Sequence, residues 1–350
     1  SDPRLDWTVR NMPQSAGMSK PDRRVPMGGP WLDPPGFTGQ GPGMKLIYIA
    51  TAEIAVPALE ALHAKAGVEL VGVVCQPDRP SGRRRKLTAA PVKARAEALG
   101  LPVITPEKIG DPESLATLEG WEPDLNVVFA YGQYLPVSVT EMPRLRSINI
   151  HPSLLPHYRG ASPIQFTILN RDPVGGISVI YVSREMDAGD ILLQKPVALE
   201  ATETSASLSV KMAAEAADVI VEVVDQFMSG ETHAVEQDPN RVTETRKLTK
   251  EDGVIDWSLH AAALDARVRA FNPWPCANFK RGEETIKLHR VQVEPGQGVP
   301  GEVLDIVGGP LVATGEAALR LLEVQPPGKN VMTGDAWLRG YPMVPGDRLA

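Results

Sequence analysis

From Met44 onward, short continuous apolar runs alternate with segments whose apolar residues recur every three to four positions. Runs of the first kind are strands buried on both faces, and the second spacing marks the buried stripe of a helix. This pattern predicts strands at 45–51, 69–75, 124–130 and 146–151, with helices near 53–65, 91–99 and 162–170. Strand, helix and strand in repetition predict an α/β fold, a doubly wound, mostly parallel, Rossmann-like sheet. Strands at 176–183 and 190–198 and a long helix near 205–230, stopped by Gly230, complete a first domain over 44–230. The polar residues 231–250, with Asp238, Pro239 and Asn240 among them, predict an inter-domain linker. After a helix near 258–270, short strands parted by Gly and Pro run to about residue 325. They predict a small β-barrel of the oligonucleotide-binding (OB) type in 251–350.

Residues 1–43 are rich in Pro and Gly and have no hydrophobic period, so they are expected to form a disordered N-terminal extension. They fit neither a transit peptide nor a secretory signal. A length of 350 residues accommodates two well-buried cores. No apolar stretch is long enough for a membrane helix, which argues against membrane insertion, and with no transit peptide evident the expected location is the cytoplasm. The two cysteines, Cys75 and Cys276, lie in apolar surroundings and are expected to be buried and reduced. The six histidines are scattered without Cys or His clustering, so no metal is expected. First-strand glycines in the G-x-G-x-x-G spacing are missing, which argues against dinucleotide binding.

The chemistry concentrates around 149–160 and at Asp187, thirty-six positions after His151. Asn149 and His151 are two apart on a predicted strand and so project from the same face. The Pro152 to Pro156 segment ends that strand and places the pair at its carboxyl end, where open α/β sheets bind ligands. A carboxamide donor, an imidazole and a carboxylate suit acyl transfer to an amine. Asn149 can donate to the negative charge that develops on a carbonyl oxygen, and His151 can stabilise that charge and pass protons. Asp187 can orient the imidazole and favour its protonated form. Singly, each residue has a plainer reading: Asn149 and His151 as a structural pair, Asp187 as a turn residue before Ala and Gly.

Taken together with the Ser153-Leu154-Leu155-Pro156 and Tyr158-Arg159-Gly160 loop, the pattern resembles the folate-dependent formyltransferases. The resemblance runs from Met44 to the C-terminus, and includes Phe271 to Pro275 and Val344 to Leu349. It implies that Asn149, His151 and Asp187 are catalytic. It also implies 10-formyltetrahydrofolate as donor, held by Phe129, Ala130, Tyr131, Gly132, Gln133, Tyr134 and Leu135 and by Ser153, Leu154, Leu155 and Pro156. The matching first loop keeps Thr51 but otherwise departs from the family's usual residues.

Net charge is −7, so RNA binding requires a local concentration of positive charge. Arg79, Arg83, Arg84, Arg85, Lys86, Lys93 and Arg95 fall within seventeen residues that contain no acid. On composition alone such a run is a solvated surface loop. Its place after the second strand, at the carboxyl edge, brings it within reach of an acceptor bound there. The resemblance implies initiator methionyl-tRNA as that acceptor, gripped by Arg79, Arg83, Arg84, Arg85 and Lys86, with Arg83 foremost. Lys280, Arg281, Lys287 and Arg290 form either a shallow phosphate track on the second domain or an ordinary exposed strand face. Trp274 is expected to pack between domains, and the protein to act as a monomer. The alternatives are a formyltransferase for a small amine, an amino sugar or glycinamide ribonucleotide, and a non-catalytic RNA-binding protein of the same fold.

Overall fold

The computed structural model describes residues 43–81 and 86–349. The extension expected over 1–43, apart from Gly43, lies outside the described residues. The first domain runs in order through β1 (Met44–Ala50), α1 (Val56–Ala64), β2 (Val68–Val74), β3 (Arg79–Ser81), β4 (Lys86–Thr88), α2 (Pro91–Ala98) and β5 (Val103–Ile104). It continues with α3 (Pro112–Gly120), β6 (Leu125–Phe129), α4 (Val137–Thr140), β7 (Ser147–His151), β8 (Arg159–Gly160) and α5 (Pro163–Leu169). It closes with β9 (Val174–Tyr181), β10 (Ile191–Ala198) and α6 (Ser205–Ser229).

Seven of these strands form one sheet in the order β10-β9-β7-β6-β1-β2-β5. Parallel pairing joins β5, β2, β1, β6 and β7, whereas β9 pairs antiparallel with both β7 and β10. β1 sits inside the sheet and is buried at every position except Lys45. Its side chains alternate between two cores, as a strand's period of two requires. Leu46, Tyr48 and Ala50 join residues of α1, α2, α5 and α6, while Ile47 and Ile49 join Leu118 of α3 and Val139 of α4. Helices therefore cover both faces. The helix α3, unforeseen from the sequence, supplies the second cover. Only Ser114 and Leu118 of its nine residues are buried, so its apolar stripe is too thin to read.

The helix α6 starts at a reciprocal capping box between Thr204 and Ser207 and ends at Gly230 in the left-handed conformation. Its buried stripe, Leu208, Met212, Ala216, Val219, Val223 and Phe227, packs on α1, β9 and β10.

The connecting segment carries β11 (Glu244–Thr245), and the second domain contains α7 (Ala261–Ala270), β12 (Asn278–Arg281), β13 (Glu284–Glu294), β14 (Val303–Asp305), β15 (Leu311–Ala313), β16 (Ala318–Gln325), β17 (Met332–Thr333) and α8 (Gly334–Gly340). Its antiparallel sheet has the order β12-β13-β16-β15-β14, with β17 on β16. This is consistent with the expected OB-like unit. Among the described residues β12 and β14 do not pair with each other, so the sheet is open and not a closed barrel. Trp257, Phe279 and Trp337 fill its core edge to face, with centroids 5.6 and 6.0 Å apart.

The domains meet through α5 against α7, with Ala270 and Phe271 buried in the first domain's core. Ser205 donates to the Asn272 carbonyl at 2.6 Å and Arg269 to the Glu203 carbonyl at 3.1 Å. Trp274, expected to pack there, is 48% exposed instead. Cys75 and Cys276 are both buried and unbridged. Among the described residues no helix is long and apolar enough to cross a membrane.

Candidate active site

Three strand ends are tied together at the carboxyl edge of the sheet. Thr51 follows β1, Gln76 follows β2 and Tyr131 follows β6. The Tyr131 carbonyl accepts from Thr51 Oγ1 at 3.0 Å and from Gln76 Nε2 at 2.7 Å, and Thr51 Oγ1 accepts from the Gln76 backbone N–H at 3.2 Å. This clamp gives the retained Thr51 a structural task. It also fixes the bend in which Ala130 and Gly132 take positive φ of 47° and 83°.

One strand along, β7 presents Asn149 and His151, and the loop between β9 and β10 folds back to bring Asp187 to them. His151 Nδ1 lies 3.6 Å from Asp187 Oδ2, and Asn149 Nδ2 lies 3.5 Å from Asp187 Oδ1. Asn149 and His151 thus converge on the carboxylate of Asp187. The Gly160 backbone N–H donates to Asp187 Oδ2 at 2.8 Å. His151 Nε2 is 2.9 Å from the Tyr158 carbonyl, which can only accept, so Nε2 carries a hydrogen. The other ring nitrogen, Nδ1, faces Asp187. His151 is 4% exposed, and Asn149 and Asp187 are half-buried. A charged carboxylate accepting an N–H in such a setting holds it by about 1.5–3 kcal/mol.

The loop from Pro152 to Gly160 is bolted down from below. Ser178 Oγ accepts the Leu155 N–H at 3.0 Å and donates to the Ser153 carbonyl at 2.7 Å, and Gln194 Nε2 donates to Leu155 O at 2.9 Å. Ser153 Oγ donates to the His157 carbonyl at 2.6 Å. Polar groups of Ser153 and Leu155 are thus engaged within the protein, while Leu154 stays half-buried and Pro156 buried. Tyr158 donates from its hydroxyl to Asp172 at 2.5 Å and accepts from Asn170 at 2.8 Å. Burial raises the Asp172 carboxyl above its ordinary value.

Of the other donor-site candidates, Phe129 and Tyr131 are buried, Gln133 and Leu135 half-buried, and Ala130, Gly132 and Tyr134 exposed. Burial pushes the Tyr131 phenol up to about 12.

The basic run departs from a plain loop, because β3 and β4 pair as a short hairpin. Arg79 is exposed at its start; Arg83, Arg84, Arg85 and the side chain of Lys86 lie outside the described residues. Lys93 and Arg95 are held by acids of the domain, Asp78 at 2.7 Å and Glu60 at 2.6 Å. On the second domain, strand alternation sends Phe279 and Ile286 inward and Lys280 and Lys287 outward, both exposed. Arg290, also exposed, pairs with Glu323 at 2.9 Å. Arg281 differs from the expectation. It stacks over the rings of Trp337 (5.9 Å) and Tyr341 (5.5 Å) and donates to the Pro342 carbonyl at 2.9 Å.

The segment read as a linker contributes most that sequence reasoning missed. β11 pairs in parallel with β8, inside the site loop. Thr243 accepts the N–H groups of Tyr158 (Oγ1, 2.8 Å) and Arg159 (O, 2.9 Å), and Thr245 Oγ1 accepts from Ser162 at 3.2 Å. Gln237 Nε2 donates to the carbonyls of Asp187 and Gly189, each at 2.8 Å, and its Oε1 accepts from Arg159 at 2.8 and 3.1 Å. These partners are 48 to 85 residues apart in sequence, so no local pattern announces them.

Residues 44–224 match the sequence profile of a family described as formyl transferase, and residues 247–342 match its C-terminal domain. The chain is 44% identical over 302 residues to a methionyl-tRNA formyltransferase of Chloroflexus aurantiacus, covering 85% of this chain and 97% of that one. A methionyl-tRNA formyltransferase of Herpetosiphon aurantiacus is 41% identical over 300 residues, covering 85% and 98%. Among solved structures, HypX from Aquifex aeolicus in complex with tetrahydrofolic acid shares the fold at 16% identity with a TM-score of 0.56. That match covers 89% of this chain, which spans only 51% of HypX.

Proposed function

This chain belongs to the formyl transferase family, and within it to the methionyl-tRNA formyltransferases, and on that premise we propose that it formylates the α-amino group of methionine on initiator tRNA. The donor is a reduced folate, which we take to be 10-formyltetrahydrofolate. The observation that carries this reading is the meeting of Asn149 and His151 at the Asp187 carboxylate, at the carboxyl edge of the sheet.

The edge fits a flat, polar-rimmed ring: Ala130 and Gly132 are exposed in a bend that the Tyr131 carbonyl anchors, and half-buried Leu135 offers apolar surface beside it. When bound there, the folate supplies the electrophilic formyl carbon. Asn149 donates its carboxamide N–H to the oxygen that gains negative charge, a contact worth about 3–4 kcal/mol when preorganised. His151, with its Nε2 hydrogen committed to Tyr158, works through Nδ1. It accepts the proton that the attacking amine loses and returns it to the departing nitrogen, so a new C–N bond replaces the old one with no net proton change. Asp187 holds Asn149 and His151 in register and stabilises the imidazolium between these transfers. The Arg79–Thr88 hairpin, with Arg83 foremost, and the outward Lys280, Lys287 and Arg290 take the tRNA backbone. All three catalytic groups come from one chain, and we read the enzyme as a cytoplasmic monomer.

Purified protein, methionyl-tRNA and 10-formyltetrahydrofolate give the test. The reading expects the aminoacyl group to gain one formyl mass, while free amino sugars gain none. Formyl transfer to the sugars and none to methionyl-tRNA overturns it.

A further inference from the structure

We propose that Gln237, carried on the inter-domain segment, is a positioning residue for the Asp187 carboxylate, a role that rests on the catalytic reading above. Gln237 is 5% exposed, and all four hydrogen-bonding positions of its amide are filled. Two N–H bonds reach the carbonyls of Asp187 and Gly189, and two bonds from the Arg159 guanidinium reach its oxygen. Carbonyls only accept and a guanidinium only donates, so the amide has one possible orientation. The grip falls where the backbone needs it, because Asp187 sits at φ +52°. The same segment sets the other hand on that carboxylate. Through β11 it fixes β8, whose Gly160 N–H meets Asp187 Oδ2 at 2.8 Å. Asp187 is thereby held from its own backbone by Gln237, which lies outside the expected catalytic domain, and at its oxygen by Gly160, which β11 braces from outside that domain.

The experiment compares Gln237→Ala and Gln237→Glu in the native and the Asp187→Asn backgrounds by formylation kinetics, with melting curves alongside. Displacement of a catalytic group by about 1 Å costs roughly 100-fold, so Gln237→Ala should lower kcat by 10- to 100-fold at an unchanged folate KM. In the Asp187→Asn background the added loss should be less than about twofold, since the group being positioned is already gone. Gln237→Glu keeps the volume and the Arg159 pairing but sets a carboxylate oxygen against two carbonyls, so it should not restore turnover. Equal losses in both backgrounds, full rescue by glutamate, or unchanged kcat would each overturn the proposal. So would failure of both variants to fold, which would make the residue purely structural. Native turnover in Asp187→Asn alone would instead sink the catalytic reading.

Discussion

Replacing Gly160 with alanine perturbs the site at a single atom, and its cost can be worked from the structure. Gly160 has φ +108°, a conformation that side chains disfavour by about 1–3 kcal/mol. A Cβ built there lies 2.3 Å from the Thr245 carbonyl oxygen and 3.2 Å from Thr245 Oγ1. The oxygen is backbone in the β8–β11 pair, so it cannot swing aside as a side chain would. Relief requires β8 and β11 to separate by about 1 Å. That movement draws the Gly160 N–H from Asp187 Oδ2 and forfeits a charge-assisted bond of about 1.5–3 kcal/mol. The sum is about 2.5–6 kcal/mol, a large share of the stability of an ordinary domain. The strain concentrates in one loop, so the expected outcome is local: kcat falls by ~100-fold or more, while the protein stays folded with a melting temperature lowered by several degrees. Gly100→Ala is the control, with φ +73° and nothing within 4 Å, and should cost only about 1 kcal/mol with turnover unchanged. Steady-state formylation and thermal melts of both variants decide the matter. Wild-type turnover in Gly160→Ala would refute the claim that this N–H sets the carboxylate.

Arg281→Ala and Lys287→Ala should separate structure from binding. The first, losing two cation–π contacts, is expected to lower stability by about 1–2 kcal/mol in urea unfolding. The second should leave stability alone but weaken tRNA binding and reduce the slope of log affinity against log salt by about one. The native slope should itself be steep, as counterion release requires, and a flat salt dependence would remove RNA-phosphate contact from the account. Burial pushes the Cys75 thiol up to about 12 and raises that of Cys276, so a thiol reagent at pH 8 should label neither in the folded protein and both in denaturant. Rapid labelling of the native protein would contradict the packing described.

The strands of the first domain were legible because β1, β2, β6 and β7 are largely buried on both faces and therefore read as apolar runs interrupted by single polar residues such as Lys45, Glu69, Asn126 and Asn149. The site was legible for a related reason. Asn149 and His151 stand two apart at a strand end that Pro152 terminates, so one local pattern delivers both. Asp187 could be joined to them only by resemblance, because it arrives on a loop that folds back from β9. The antiparallel course of β9 left no mark in its sequence, since antiparallel and parallel strands buried on both faces share the same composition. The role of residues 235–245 was hidden for the opposite reason. Gln237, Thr243 and Thr245 are polar residues in a polar stretch, the pattern of a solvated connector, and only their long-range partners distinguish them. Arg281 shows the limit of charge counting: its guanidinium is held by Trp337 and Tyr341, two rings that lie far downstream in the chain.

The most direct test separates turnover from donor affinity in Asn149→Ala, His151→Ala and Asp187→Asn. Each should form formyl-methionyl-tRNA ~100-fold or more slowly than the native protein. Each should also bind a non-transferable folate with a dissociation constant within about threefold of native. Native rates in all three variants, or a loss explained wholly by weaker folate binding, would contradict the claim that these residues carry the transfer.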